Sequence, residues 1–156
     1  MYIISMKKSA GILLYRFYKG DIQVFLVHPG GPFFKNKDLG SWTIPKGEIE
    51  ENENLLVAAT REFHEETGIL LTGSFIELKP VKLKSGKLVY AWALEGDLDE
   101  KKVRCNTFTM EWPPKSGKFA EFPEIDKGEW FHTTKAFEKI IPAQLSLIEQ
   151  LLELVK

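Results

Sequence analysis

The sequence of 156 residues has very little cysteine and almost no net charge. Its single cysteine, Cys105, excludes an internal disulfide and a cysteine-built zinc site, so we expect it to be a small residue in or near the core. Lys and Arg total 21 against 22 Asp and Glu, which gives a formal net charge of -1. This balance offers no global attraction to nucleic acid or to an anionic membrane, so we expect neither as a partner.

Long hydrophobic runs are also missing. A stretch such as 91–94 is far shorter than the roughly 20 apolar residues of a membrane-spanning helix. Residues 1–6 lack the basic leading region of a secretion signal, and a reducing cytoplasm is therefore the expected compartment. No repeat, low-complexity tract or Gly/Ser linker divides the chain, so we expect a single domain over residues 1–156.

Short apolar segments with turn residues between them predict strands. Residues 9–16 and 23–28 form a predicted hairpin, and residues 41–44 resume an extended pattern after a long Gly- and Pro-containing loop over 28–40. Further strands are predicted over 70–78, over 81–94 with a tight turn at Ser85-Gly86, and over the shorter segments 107–112 and 130–132. Residues 113–118 are predicted to be a loop stiffened by its prolines, and the segment 112–122 around it, like the loop over 28–40, could form a lid.

Two segments predict helices. One lies within residues 50–67, begins near Asn54 and ends at Gly68, which is a typical helix stop. The other follows Pro142 and has apolar residues on one face that are expected to pack in the core.

Three glutamates of the first helix, Glu62, Glu65 and Glu66, fall within an arc of about 100° over one turn. Like charges at these spacings weaken a helix by a few tenths of a kcal/mol per pair, so their clustering needs a reason. Carboxylate oxygens are ligands that suit Mg²⁺ or Mn²⁺, and such ions in turn neutralise the oxygens of a bound di- or polyphosphate. The pattern therefore indicates a metal and phosphate site.

The spacing around these glutamates is specific. Gly47 is followed after five residues by Glu53, after seven more by Arg61-Glu62, and the segment ends with Glu65-Glu66-Thr67-Gly68-Ile69. From Gly47 to Ile69 this resembles the Nudix hydrolase signature at every defined position. The resemblance implies an α+β fold, the Nudix-type α/β/α sandwich with a mixed central β-sheet.

The same resemblance implies roles for individual residues. Glu62, Glu65 and Glu66 are expected to bind the divalent metal together with the main-chain carbonyl of Gly47. Glu53 is expected to pair with Arg61 instead of touching metal. A cation beside the carboxylate cluster can also hold the preceding loop against the helix, which agrees with this assignment.

Residues outside the signature are more open. Glu124 precedes the aromatic pair at 130–131 by six positions, as an acidic residue does in many relatives, and it is the candidate catalytic carboxylate. Asp126 or Glu129 could take this role, and the base could instead be one of the clustered glutamates. Lys46 could contact a phosphate or be an exposed lysine.

Two aromatic residues have equally open roles. Trp42 and Tyr90 could stack on a base or pack in the core. The three histidines, at positions 28, 64 and 132, have no metal-ligand spacing and are expected to be structural or exposed.

The family hydrolyses a nucleoside diphosphate linked to another moiety, so the expected partner is a small nucleotide. The run from Trp42 to Gly47 looks like the lead-in common among diadenosine polyphosphate hydrolases, which favours a substrate such as diadenosine tetraphosphate. The alternatives are a nucleoside triphosphate pyrophosphatase that removes damaged nucleotides and a non-catalytic nucleotide sensor. A sensor should have lost a metal glutamate, and none is missing here.

Overall fold

A computed structural model describes residues 7–156, so the N-terminal segment used above to predict the compartment lies outside the described residues. Nine strands form one seven-stranded sheet and one separate hairpin. The strands of the larger sheet are β1 (Lys8–Tyr18), β2 (Asp21–Pro29), β3 (Lys46–Glu48), β4 (Ile76–Glu77), β5 (Val81–Lys82), β6 (Leu88–Glu95) and β9 (Ile125–His132). The hairpin consists of β7 (Thr107–Glu111) and β8 (Phe119–Pro123).

The larger sheet is mixed, as predicted. Its main strand order is β4-β6-β1-β2-β9, with β1 parallel to β6 and antiparallel to β2. The predicted first hairpin is confirmed by β1 and β2, and the predicted turn at Ser85-Gly86 is confirmed by the pairing of β5 with β6. β3 adds to β1 at its N-terminal end, opposite Ser9, Ala10 and Gly11.

Helices cover both faces of this sheet. They are α1 (Leu55–Thr67), α2 (Thr133–Lys139) and α3 (Leu145–Leu154), and α3 follows a turn of 3₁₀ helix at Pro142–Gln144. Alternate residues of β1 enter different cores: Ile12 and Leu14 pack with α1, whereas Leu13 packs with α2 and α3. The expected α/β/α sandwich is therefore confirmed, and α3 contributes its apolar face to the core as predicted.

The limits of α1 follow from its end residues. The Asn54 side chain accepts hydrogen bonds from the main-chain N–H groups of Leu56 and Val57, which satisfies two free donors of the first turn. Gly68 ends the helix with φ of 79°, a left-handed conformation that favours glycine. Both predicted ends are confirmed.

Several elements differ from the sequence prediction. Only Ile76–Glu77 of the predicted strand 70–78 pairs with the sheet, and Leu70 is 76% exposed, so its apolar character does not reflect core packing. The last sheet strand begins at Ile125, five residues before the predicted start. Its first residues are mostly polar and do not look like a strand in the sequence, but they pair with β2 through the main chain. The predicted loop 113–118 does connect β7 to β8, but β8 itself and the short helix α2 were not predicted.

No helix among the described residues is both long and apolar enough to cross a membrane. Cys105 is half-buried, and its thiol donates a hydrogen bond to the main-chain oxygen of Ile125 at 3.2 Å. This contact agrees with a structural role for the single cysteine.

Candidate active site

The candidate site lies where β3 crosses the acidic face of α1. The Lys46 main-chain N–H donates a hydrogen bond of 3.0 Å to Oε2 of Glu66. The Glu62 carboxylate packs so closely on Gly47 that a Cβ added there would lie 1.9 Å from Oε2 of Glu62. Only glycine allows this approach, which explains the requirement for glycine at the start of the signature.

Arg61 connects the loop before α1 to the helix. Its guanidinium donates two hydrogen bonds to Glu53, from Nε to Oε2 at 2.7 Å and from Nη2 to Oε1 at 2.9 Å. Its Nη1 atom also donates hydrogen bonds to Oε1 of Glu62 at 2.9 Å and to Oε1 of Glu65 at 3.2 Å. The guanidinium lowers the pKa of Glu53 to about 2. This geometry supports the structural role expected for the pair of Glu53 and Arg61.

Glu66 and Glu62 have pKa values shifted in the opposite direction. Burial, with smaller contributions from the charges of Glu62 and Glu124, raises the pKa of Glu66 to about 8 against the opposing charge and main-chain hydrogen bond of Lys46. Burial, followed by the charge of Glu65, raises the pKa of Glu62. Burial also lowers the pKa of Lys46. The site therefore holds negative charge that its own residues only partly compensate.

Glu124 faces this cluster from another part of the sheet. It follows β8 directly, and its main chain is fixed by bonds from its N–H to the Asn106 oxygen and from the Gly30 N–H to its own oxygen, at 3.0 and 2.9 Å. Burial and the charge of Glu65 raise the pKa of Glu124, so the two carboxylates are near one another. Of the two alternatives, Asp126 is instead paired with the buried ring of His28 at 2.8 Å, and Glu129 lies within β9 opposite Leu26.

These residues fit a hard divalent cation. The donors are carboxylate oxygens, one of them buried with a raised pKa, beside a glycine that admits a carboxylate against its main chain. Across residues 7–156, no group of three acidic, His or Cys side chains is already arranged to hold a metal ion. Glu62 and Glu65 are instead both paired with Nη1 of Arg61.

The two candidate stacking residues have different surroundings. Trp42 is 1% exposed, packs edge-on against Phe131 and donates its Nε1–H to Asp38 at 2.8 Å. Of the two roles open to Trp42, base stacking is wrong and core packing is correct, because the buried ring has no face open to a ligand. Tyr90 is half-buried on β6 beside the α1 side of the core, with the Lys8 ammonium 5.8 Å from its ring centroid.

A cavity of about 520 Å³ next to Lys46 was not predicted from the sequence. Its wall comes from the long loop after β2, including Phe34 and Leu39, and from Ile141 after α2. The loop was predicted as a candidate lid, but the contribution of Ile141 depends on a contact across about a hundred positions. The loop's length was the only signal available.

A mixed sheet between helices, with a glycine-led strand lying over an acidic helix face, defines the Nudix fold class. A family description named NUDIX domain matches residues 6–151, and the chain belongs to this family. The predicted family is thus confirmed, and family membership supports a pyrophosphohydrolase of the kind that generally uses divalent metal ions.

Individual proteins show the same similarity. The chain is 30% identical over 126 residues to an RNA pyrophosphohydrolase of Brucella anthropi, a match covering 70% of this chain and 66% of that protein, slightly less than two thirds of its length.

Two solved structures share the fold. The NUDIX domain of Shewanella oneidensis NrtR, solved with ADP ribose, superposes with a TM-score of 0.70 at 16% identity and covers 99% of this chain and 91% of that one. A C. elegans Ap4A hydrolase in a binary complex gives 0.68 at 21% identity over 94% and 97% of the two chains.

Proposed function

We propose that the protein is a metal-dependent pyrophosphohydrolase that cleaves a dinucleoside polyphosphate such as diadenosine tetraphosphate. The observation that carries the proposal is the convergence of Glu62, Glu66 and Glu124 on the junction of β3 and α1, beside Lys46. In the reaction, water attacks phosphorus, a P–O bond of the anhydride breaks, and the water proton passes to a carboxylate.

The proposed metal ligands are Glu62, Glu65, Glu66 and the main-chain carbonyl of Gly47. A bound Mg²⁺ or Mn²⁺ would offset charge on the phosphate oxygens and lower the pKa of a coordinated water. Lys46 is the proposed phosphate contact, since its ammonium lies within the field of Glu66 and Glu62 and lines the neighbouring cavity.

Glu124 is the proposed general base. A base works best when its pKa lies near the working pH, and burial together with the charge of Glu65 raises the pKa of this carboxylate. Glu124 is also held on a different segment from the three proposed metal-binding glutamates, so it can accept a proton while those three stay on the metal. Glu53 and Arg61 are proposed to hold the loop in place.

Support for the dinucleoside substrate comes from the lead-in between Trp42 and Gly47 and from the fold shared with an Ap4A hydrolase. A second candidate is removal of pyrophosphate from the 5′ end of RNA, which is favoured by the identity to the Brucella anthropi protein. With either substrate, Tyr90 is a proposed base-stacking residue, because its ring is only half-buried.

Product analysis with Mg²⁺ or Mn²⁺ tests these substrates. Diadenosine tetraphosphate should yield two nucleotides, whereas a 5′-triphosphorylated RNA or a nucleoside triphosphate should yield pyrophosphate and a monophosphate end. Glu65→Gln should lower turnover at least about a hundredfold while leaving the fold intact, and Glu149→Gln, on the exposed face of α3, is the matched control. Full metal-dependent activity in Glu65→Gln would reject the proposed site.

A further inference from the structure

The cavity beside Lys46 shares this residue with the carboxylate site. Lys46 lines the cavity, while its main-chain N–H bonds to Glu66 and its ammonium lies in the field of Glu66 and Glu62. A molecule with phosphates at the carboxylate cluster would therefore lie next to a residue that also lines the cavity. Its volume of about 520 Å³ falls within the roughly 300–1,000 Å³ of small-molecule sites.

The outer wall of the cavity is held in place by buried contacts. The His28 ring, 2% exposed, bonds through Nε2 to the Lys37 main-chain oxygen at 2.6 Å and through Nδ1 to the Asp126 carboxylate. The Gly40 N–H donates to the Glu138 oxygen of α2 at 2.9 Å. A wall fixed before binding does not have to be ordered by the ligand, which favours affinity.

The one carboxylate on this wall, Asp38, is already paired with a cation from α2. Asp38 accepts hydrogen bonds from Nε1 of Trp42 at 2.8 Å and from the Lys139 ammonium at 2.5 Å, and these bonds lower its pKa. The charges left to the cavity are those of Lys46 at one end and Lys37 at the rim. A ligand with an anionic end and an uncharged body complements this distribution.

The body of such a ligand meets an aromatic and aliphatic surface. Phe34 is 37% exposed and Leu39 is 67% exposed, and both line the cavity. The Lys37 ammonium lies over the Phe34 ring, 5.5 Å from its centroid. An exposed aromatic ring beside a cation is a surface on which nucleobases stack, because every base has a π-face.

We propose that this cavity binds the base of the substrate nucleotide, stacked on Phe34, with its phosphates directed past Lys46 to the glutamates. The proposal rests on the proposed function for the position of the phosphates, but base binding itself does not require turnover. Phe34 is then a specificity-determining residue of a site in which the loop after β2 contacts the ligand.

Calorimetric titration with adenosine 5′-monophosphate tests the proposal, with ribose 5-phosphate as the ligand that lacks only the base. The wild-type protein should bind the nucleotide more tightly than the sugar phosphate. Phe34→Ala should weaken nucleotide binding about tenfold, and Phe34→Tyr should retain it. Phe33→Ala is the matched control, since this neighbouring ring is 57% exposed but packs on Trp112, with 5.4 Å between ring centroids.

The steady-state kinetics separate this proposal from the proposed function. In diadenosine tetraphosphate hydrolysis, Phe34→Ala should raise KM about tenfold with little change in kcat. If no substrate is hydrolysed but Phe34→Ala still selectively weakens nucleotide binding, the base site stands and the proposed reaction fails. Equal binding of the nucleotide by Phe34→Ala and wild type, or no preference for it over ribose 5-phosphate, overturns the base site.

Discussion

The raised pKa of Glu66 makes a quantitative prediction about stability without metal. The pKa is about 8 in the folded protein and 4.5 as the reference value, so the folded state holds its proton more tightly than the unfolded chain does. Stability contributed by this group is therefore present at low pH and is lost as pH rises through the interval between the two values. Replacing Glu66 with glutamine should remove this loss, because an amide does not ionise.

The size of the effect follows from about 1.4 kcal/mol for each unit of pKa difference. Between pH 5.5 and pH 8, the Glu66 contribution should fall by on the order of 3 kcal/mol relative to Glu66→Gln. For a chain of this length, that corresponds to about 6–12 °C in Tm. The low pKa of Glu53, about 2, loses its stabilising effect only as pH falls below 4.5, so it does not interfere in this window.

The assay is thermal unfolding of wild type and Glu66→Gln in EDTA from pH 5.5 to 8, with Glu149→Gln as an exposed control for the same chemical change. The Tm of wild type should fall relative to Glu66→Gln as pH rises. Added Mg²⁺ should raise the Tm of wild type more at pH 8 than at pH 5.5, since a cation competes with the proton. A constant difference between wild type and Glu66→Gln across this range would refute the reasoning.

Two further substitutions test the loop and the helix. Gly47→Ala should lower kcat at least about tenfold with an unchanged circular dichroism spectrum, because its Cβ would lie 1.9 Å from the Glu62 carboxylate and displace it; unchanged kcat would show that this approach is not needed. Asn54→Ala should destabilise the protein by about 1 kcal/mol in urea unfolding, whereas Asn54→Ser should not, because serine can still cap α1. Equal stability of both variants would contradict the capping role.

The helix and its acidic face could be predicted from sequence because they depend on local spacing. The turn of an α-helix fixes how Glu62, Glu65 and Glu66 lie relative to one another. The helix begins after Asn54 because its side chain caps the first turn, and it ends at Gly68 because glycine has no side chain and adopts the left-handed conformation. The pairing of β1 with β2 followed in the same way from a short connection.

Residues whose role depends on distant contacts could not be assigned in this way. Trp42 is a core residue because Phe131 and Asp38 surround its ring, and neither contact follows from the residues next to it in sequence. Glu124 was a candidate by its distance from an aromatic pair, but its approach to Glu65 depends on how the hairpin of β7 and β8 joins β9. The contribution of Ile141 to the cavity wall could not be predicted either, because it also depends on a contact between distant parts of the sequence.

Glu53 and Glu66 have the most strongly shifted pKa values of the site, in opposite directions, whereas burial raises the pKa of Glu62 despite its contact with Arg61. Glu53, which receives two hydrogen bonds from Arg61, has a pKa of about 2, whereas Glu66, which takes its hydrogen bond from the Lys46 main chain, has a pKa of about 8. Positive charge is therefore most needed on the Lys46 side of the cluster. Because Lys46 also lines the cavity, anionic phosphates directed there would need an accompanying cation, which the proposed metal at the glutamates would supply.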